Sequence, residues 1–196
     1  MSLLRSDACS RHHTLYSGSR FLEVVMIDVQ VPTTLVQLDH VRDLIRTFIE
    51  WHRARHQQDR HLIDAYFDSA AFETELATLP GKYAPAEGGG LWLATVDGAP
   101  AGCVALRQID AQRCEMKRMF VYPEQHGRGV GRALADVVIA GGRDLGYQSM
   151  LLDTSIRQAE AQALYRRMGF RDVAPYYDLP ADLRDWLVFM ERPLVA

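Results

Sequence analysis

Three glycines and two arginines stand within six residues of one another, at Gly127, Arg128, Gly129, Gly131 and Arg132, in the run QHGRGVGRAL. Glycine lets a backbone turn tightly and expose several N–H groups. When a helix begins at such a turn, those groups and the positive end of the helix dipole attract an anion. Arginine adds a fixed planar charge that suits phosphate oxygens better than lysine would, so a pyrophosphate is expected in preference to a carboxylate. Two familiar phosphate loops are excluded. Gly81-Lys82 has neither the glycine five residues earlier nor the following hydroxyl of a P-loop, and a dinucleotide fingerprint would need glycine where Arg132 stands.

The loop needs a strand before it and a helix after it. Cys114 to Tyr122 is apolar at Met116, Met119, Phe120 and Val121 and reads as a strand stopped by Pro123. Val130, Leu134, Val137, Val138, Gly141 and Leu145 then recur at three- and four-residue spacing, which predicts one amphipathic helix with Gly146 as its C-cap.

His126-Gly127-Arg128-Gly129-Val130-Gly131 closely resembles motif A of the GNAT superfamily of acetyl-CoA-dependent N-acetyltransferases, [QR]-x-x-G-x-[GA], with histidine where glutamine or arginine is usual. Gln158 to Phe170, QAEAQALYRRMGF, is similar to the family's motif B, with Ala161, Leu164, Tyr165 and Met168 on one helical face and Gly169 ending the helix. The two motifs stand in the family's order around a short strand, Met150 to Thr154, and the resemblance covers roughly residues 22 to 193.

The remaining chain reads as the elements such a fold needs. Phe21 to Val31 is the expected first strand. Thr34 with Gln37 makes a capping-box pattern before a helix carrying Leu38, Val41, Ile45, Phe48, Ile49 and His52, and a second helix is expected from about Arg60 to Leu79. Leu91 to Val96 and Pro100 to Ile109 form a hairpin across Asp97-Gly98, with the phosphate-loop strand following antiparallel. Trp186 to Arg192 is the last strand, after a loop with Tyr176, Tyr177, Asp178 and Pro180. The expected fold is a single α+β domain over residues 21–196, with a mixed, mostly antiparallel central sheet flanked by helices and acetyl-CoA in a cleft between splayed strands. Residues 1–20, which hold Arg5, Arg11 and Arg20 without a secretory apolar run, are read as a flexible extension.

The resemblance assigns chemistry to particular residues. The pyrophosphate of acetyl-CoA is expected on His126, Gly127, Arg128, Gly129, Val130, Gly131 and Arg132. Its pantetheine arm is expected along the strand edge at Met119, Phe120 and Val121, with Gln158 as a further contact. An unpaired backbone N–H in the strand gap would polarise the thioester carbonyl. Tyr165 occupies the motif B tyrosine position, which implies a general acid for the departing thiolate; a plain core aromatic is the competing reading. Two carboxylates compete for the base, Glu115 on the phosphate-loop strand and Asp153 at the end of the next. For Glu115, a cross-strand partner of an arginine is the alternative. Trp51, Tyr66, Phe67, Tyr176, Tyr177 and Asp178 are expected to wall the acceptor side.

Composition bounds the partners. A length of 196 residues at 48% hydrophobic supports one core, and no apolar run approaches the roughly twenty residues of a membrane span. A net charge of −3 with dispersed cations argues against nucleic acid. Cys9, Cys103 and Cys114 lack metal or redox spacing and suggest a reducing cytoplasm, and all but two of the 22 basic residues are arginine, which suggests a bacterial source. His52 and His56 share a helix face, but with His61 they lack a carboxylate at ligand spacing, so they are read as a solvated face and no metal is expected. The expected activity is acetyl transfer from acetyl-CoA directly to an amine of a small molecule in a ternary complex, with homodimerisation left open. The alternatives are a protein acetyltransferase acting on an N-terminus or lysine, and a non-catalytic acetyl-CoA sensor.

Overall fold

The computed structural model describes residues 10–12, 25–67 and 69–195. The capping box forms: Gln37 N donates to Thr34 Oγ1 (3.2 Å) and Thr34 N to Gln37 Oε1 (3.1 Å), which satisfies two N–H groups that a helix start would otherwise leave unpaired. This begins α1, Leu35–Arg55. Asp97 (φ 50°) and Gly98 (φ 83°) both adopt positive φ, the conformation of the tightest hairpin turn, and join β3, Gly90–Val96, to β4, Ala99–Gln108. With β1 (Ser10–His12), β2 (Ile27–Gln30), β5 (Arg113–Val121), β6 (Ser149–Ser155), β7 (Arg171–Val173) and β8 (Leu187–Pro193), these make one sheet ordered β1-β2-β3-β4-β5-β6-β8-β7. Among the described strands, β5–β6 is the one parallel pair.

Side chains alternate across the sheet, and both faces are covered. Leu91, Leu93, Cys103 and Ala105 pack beneath Val41, Leu44 and Ile45 of α1. On the other face Ala94, Val104, Leu106 and Met116 meet Val130, Leu134 and Val138 of α4, Val130–Asp144. α5, Ala159–Arg167, follows β6, and Gly146 (φ 84°) and Gly169 (φ 89°) end the α4 and α5 segments as expected.

One irregularity in β5 sets the site. Cys103 and Ala105 of β4 face Phe120 and Lys117 of β5, so two steps on one strand span three on the other. The bulge holds Arg118 at φ 54°, a left-handed conformation uncommon for a residue with a Cβ. It exchanges the faces of the strand: Met116 points to the α4 side, and beyond the bulge Met119 and Val121 do, while Phe120 packs toward α1.

Three expectations change. The helix expected over 60–79 is two, α2 (Arg60–Tyr66) and α3 (Ser69–Ala77), because Phe67 leaves helical geometry (φ −101°, ψ 67°) and buries its ring edge-on against Phe48. Trp186 ends a short helix, α6 (Ala181–Trp186), rather than starting the last strand, and its buried indole donates to Asp59 Oδ2 at 3.2 Å. The described part of the first strand starts at Ile27, and its expected beginning at Phe21 lies outside the described residues. Of the N-terminal extension only Ser10–His12 is described, as an edge strand antiparallel to Ile27–Val29. Among the described residues no helix is long and apolar enough to cross a membrane.

Candidate active site

β5 ends at Val121, one 3-10 turn crosses Pro123–Gln125, and the chain enters α4 through Gly127 (φ 77°) and Gly129 (φ 93°). Positive φ of this size strongly favours glycine at both. Gly131 is different: it lies inside the helix, and a Cβ there would meet nothing closer than Leu164 Cδ2 at 3.6 Å. Neither packing nor backbone conformation calls for glycine at 131, so what its small size leaves is room for an approaching ligand. The N–H groups of the first helical turn have no intrahelical acceptor and lie at the positive end of α4. Loop and helix start thus fit a pyrophosphate.

This loop borders a cleft of about 500 Å³. The strand edge at Met119, Phe120 and Val121 forms one wall; Phe48, Trp51 and Arg55 of α1 and Ala161 and Leu164 of α5 form the others. His126 lines it and is tied back by a 2.9 Å hydrogen bond between Nε2 and the Val121 carbonyl oxygen, to which only an N–H can donate. Arg132 lines the cleft and pairs with Asp136 at 2.8 Å. Arg128 points elsewhere, donating to Gln125 Oε1 at 2.8 Å with Asp97 Oδ2 at 3.9 Å.

A second, narrow cleft of about 60 Å³ opens where the sheet splits. β5 and β6 pair only over Arg113–Glu115 with Ser149–Leu151; beyond that β5 stays with β4 and β6 with β8. The two clefts share Phe48, Met119, Gln158 and Tyr165. Gln158 stands at the start of α5, its Oε1 3.5 Å from Thr154 Oγ1. Tyr165 is 7% exposed, and its hydroxyl faces Met119 Sδ at 3.6 Å. Burial, and after it the charge of Asp153, raises the phenol above its ordinary pKa, so it is protonated at neutral pH.

Asp153 projects from β6 into the narrow cleft. Tyr66 from α2 donates to its Oδ1 (2.5 Å) and Tyr177 to its Oδ2 (3.0 Å), while Lys117 Nζ lies 2.8 Å from Oδ2 and 2.7 Å from the Tyr66 oxygen. Burial disfavours both charges, but the attraction between them outweighs it, holding the Asp153 carboxyl below and the Lys117 ammonium above their usual ranges. Glu115 borders neither cleft. Its side chain is fully buried, paired across the strands with Arg107, accepts from Tyr176, and lies 3.4 Å from Lys117 Nζ. Arg118 forks onto Glu75 of α3 (2.7 and 2.9 Å) and stacks between Phe67 and Phe72, which carries Glu75 to about 2 despite its burial.

The sequence brought Tyr165, Asp153 and Gln158 to one place together with the glycine loop and the Met119–Val121 edge, and it set Tyr66 and Phe67 on the narrow cleft. Tyr176 and Tyr177 reach the same cluster through their hydroxyls, and Asp178 is exposed. Trp51, expected on the acceptor side, lines the loop-side cleft instead. Two groups were missed: Lys117, one of only two lysines in the chain, carried a readable signal, and Arg107 did not. His52 and His56, expected on a solvated helix face, are buried instead, because that end of α1 packs against Trp186 and the narrow cleft. His52 is 2% exposed, lines the narrow cleft and has Nε2 3.4 Å from Ser155 Oγ; burial, then His56, pushes it down to about 4. Among the described residues no cluster of three or more histidine, cysteine or acidic side chains could hold a metal.

Comparison with known proteins points the same way. The sequence model of the Acetyltransferase (GNAT) family matches residues 46–170. An uncharacterized N-acetyltransferase of Schizosaccharomyces pombe is 38% identical over 109 residues, 55% of this chain and 67% of that protein; two further curated relatives are matched over 54% and 63% of their own length. In fold, the chain is similar to an acetyltransferase from Streptococcus agalactiae (TM-score 0.64, 22% identity, covering 85% of this chain and 98% of that one). It is also similar to the PaiA N-acetyltransferase from Thermoplasma acidophilum, solved in complex with coenzyme A (TM-score 0.62, 16% identity, 85% and 98%).

Proposed function

The chain belongs to the GNAT acetyltransferase family, and on that premise we propose that it transfers the acetyl group of acetyl-CoA directly to an amine of a small-molecule acceptor in a ternary complex. The observation that carries this reading is the meeting of the two clefts at Met119, Gln158 and Tyr165. One cleft leads to a phosphate-binding loop, the other to an ionised carboxylate.

The thioester supplies an activated acetyl group; what remains for the protein is positioning, one base and one acid. The loop at Gly127–Arg132 and the unpaired edge at Met119–Val121 hold the two ends of the cofactor. Asp153 is the base that this reading favours, taking a proton from the acceptor's ammonium directly or through water, because it lines the narrow cleft in its ionised form. Glu115 then serves as a buried counter-charge that positions Lys117. Tyr165 is the acid: its protonated phenol stands at the junction, with a weak sulfur acceptor in place of a strong one, and passes its proton to the departing thiolate.

The width of the acceptor side favours a small molecule. About 60 Å³ bounded by Phe48, Tyr66, Phe67 and Trp186 is on the scale of an amine and its first carbons rather than of an extended peptide. The described cysteines, Cys103 and Cys114, are buried free thiols, consistent with a reducing cytoplasm. The test is a thiol-release assay with acetyl-CoA across free amines, amino acids, aminoglycosides and peptides. Release with a free-amine class supports the reading, and release only with peptides replaces it by the protein-acetyltransferase alternative.

A further inference from the structure

The loop-side cleft holds a feature out of keeping with a site for a polyanion. Among the described residues that line it, Glu160 in the first turn of α5 is the only acid. It is tied to Arg55, the last residue of α1, by an Arg55 Nη2–Glu160 Oε1 contact of 2.6 Å. The pair joins two walls of the cleft across 105 residues of sequence. Arg55 also lies over the Trp51 ring, 5.0 Å from its centroid, and both line the same cleft as Gly127, Gly129 and Arg132.

The loop's own arginines are placed differently. Arg132 is held by Asp136 and Arg128 approaches Asp97, and neither of those acids lines the cleft. Arg55 has its acid inside the cleft. A phosphate entering there repels Glu160 and attracts Arg55, and a guanidinium fork that matches a carboxylate matches phosphate oxygens equally well. With side chains 40% and 70% exposed, the pair sits at the mouth, where an ion pair is weak enough to be exchanged. Trp51 supports the guanidinium plane from one side, so a change of partner need not cost the stacking contact.

We propose that Arg55 is a cofactor-phosphate ligand supplied by α1 and held in reserve by Glu160: the ion pair bridges the cleft, and Arg55 exchanges the carboxylate for a phosphate of acetyl-CoA on binding. This rests on the acetyl-CoA reading above and adds a residue and a competition to it.

Coenzyme A titrated calorimetrically into the full chain tests it. Glu160→Gln removes the competitor and binds coenzyme A about two- to fivefold more tightly, the scale of an exposed ion pair. Arg55→Gln loses a charge-assisted contact and binds about tenfold more weakly. In the Arg55→Gln background Glu160→Gln gains less than it does in the wild type, since only the direct repulsion of the phosphate, and no longer the competition for Arg55, is relieved. Pantetheine, which lacks the phosphates, binds all four proteins alike. Because both side chains are exposed the variants fold, and thermal melting checks this. An unchanged or weakened Glu160→Gln, or an unchanged Arg55→Gln, overturns the exchange while the acetyl-CoA reading stands; wild-type chain that binds no coenzyme A overturns both.

Discussion

Replacing Lys117 with methionine strips the narrow cleft of its ammonium while keeping an unbranched stem of similar volume. The lost group lies 2.8 Å from Asp153 Oδ2 and 3.4 Å from Glu115 Oε1, and those two side chains are 4% and 0% exposed, so water does not take its place. Removing one partner of a buried pair costs about 3–5 kcal/mol, a large share of the roughly 5–15 kcal/mol that holds a domain folded. A pH series separates lost charge from lost packing. In the wild type the Asp153 carboxyl is depressed in the folded state. Its contribution is therefore present above the unfolded pKa of about 4 and disappears as pH falls through the folded value. In Lys117→Met burial acts without the opposing ammonium, and the folded carboxyl rises above its unfolded value. The folded state then binds more protons than the unfolded one, so stability falls as pH rises from about 4, with a slope of up to about 1.36 kcal/mol per pH unit from this group. Urea unfolding followed by near-UV circular dichroism between pH 4.5 and 8 reads the difference, and adding Asp153→Asn to Lys117→Met recovers part of the loss. A Lys117→Met protein within about 1 kcal/mol of wild type at every pH, or one whose stability does not fall as pH rises across this range, refutes the assignment of a tightly coupled buried pair.

Other consequences follow from the same geometry. Tyr165→Phe keeps acetyl-CoA affinity and lowers kcat on the order of a hundredfold, the scale of one positioned acid; turnover equal to wild type in a stopped-flow or thiol-release assay removes Tyr165 from that role. Gly131→Ala has only ordinary contacts to meet, so its denaturation midpoint does not fall, yet coenzyme A binding weakens; unchanged affinity means no ligand approaches there. Gly129→Ala must place a Cβ at φ 93° and loses about 1–2 kcal/mol of stability by urea titration. The His52 imidazole, pushed down to about 4, stays neutral from pH 5 to 8, and NMR shifts of its ring protons that titrate near 6.5 contradict that environment.

Features encoded by neighbours in sequence were legible. The Thr34–Gln37 capping box, the Asp97-Gly98 turn and the glycine stops at 146 and 169 depend on a few adjacent residues, and each forms where its residues stand. The glycine turn between β5 and α4 was readable for the same reason. What escaped depends on distant partners. Arg118 takes positive φ because a bulge against β4, a bidentate contact with Glu75 and two aromatic rings hold it there, and nothing in its own vicinity announces it. The break at Phe67 is set by the ring's place against Phe48, 19 positions earlier, although Asp68-Ser69 are residue types that begin helices. The coupling of Lys117 to Asp153 spans 36 residues and two strands that pair over only three positions, so strand patterning could nominate the acid without showing which cation holds it.

The most direct test of the account is isothermal titration of acetyl-CoA into the full chain, followed in the same preparation by thiol release with and without amine acceptors. Saturable binding is expected, with thiol release that depends on one class of small amine. Failure to bind, or binding with no acceptor-dependent release across amines and peptides alike, would contradict it.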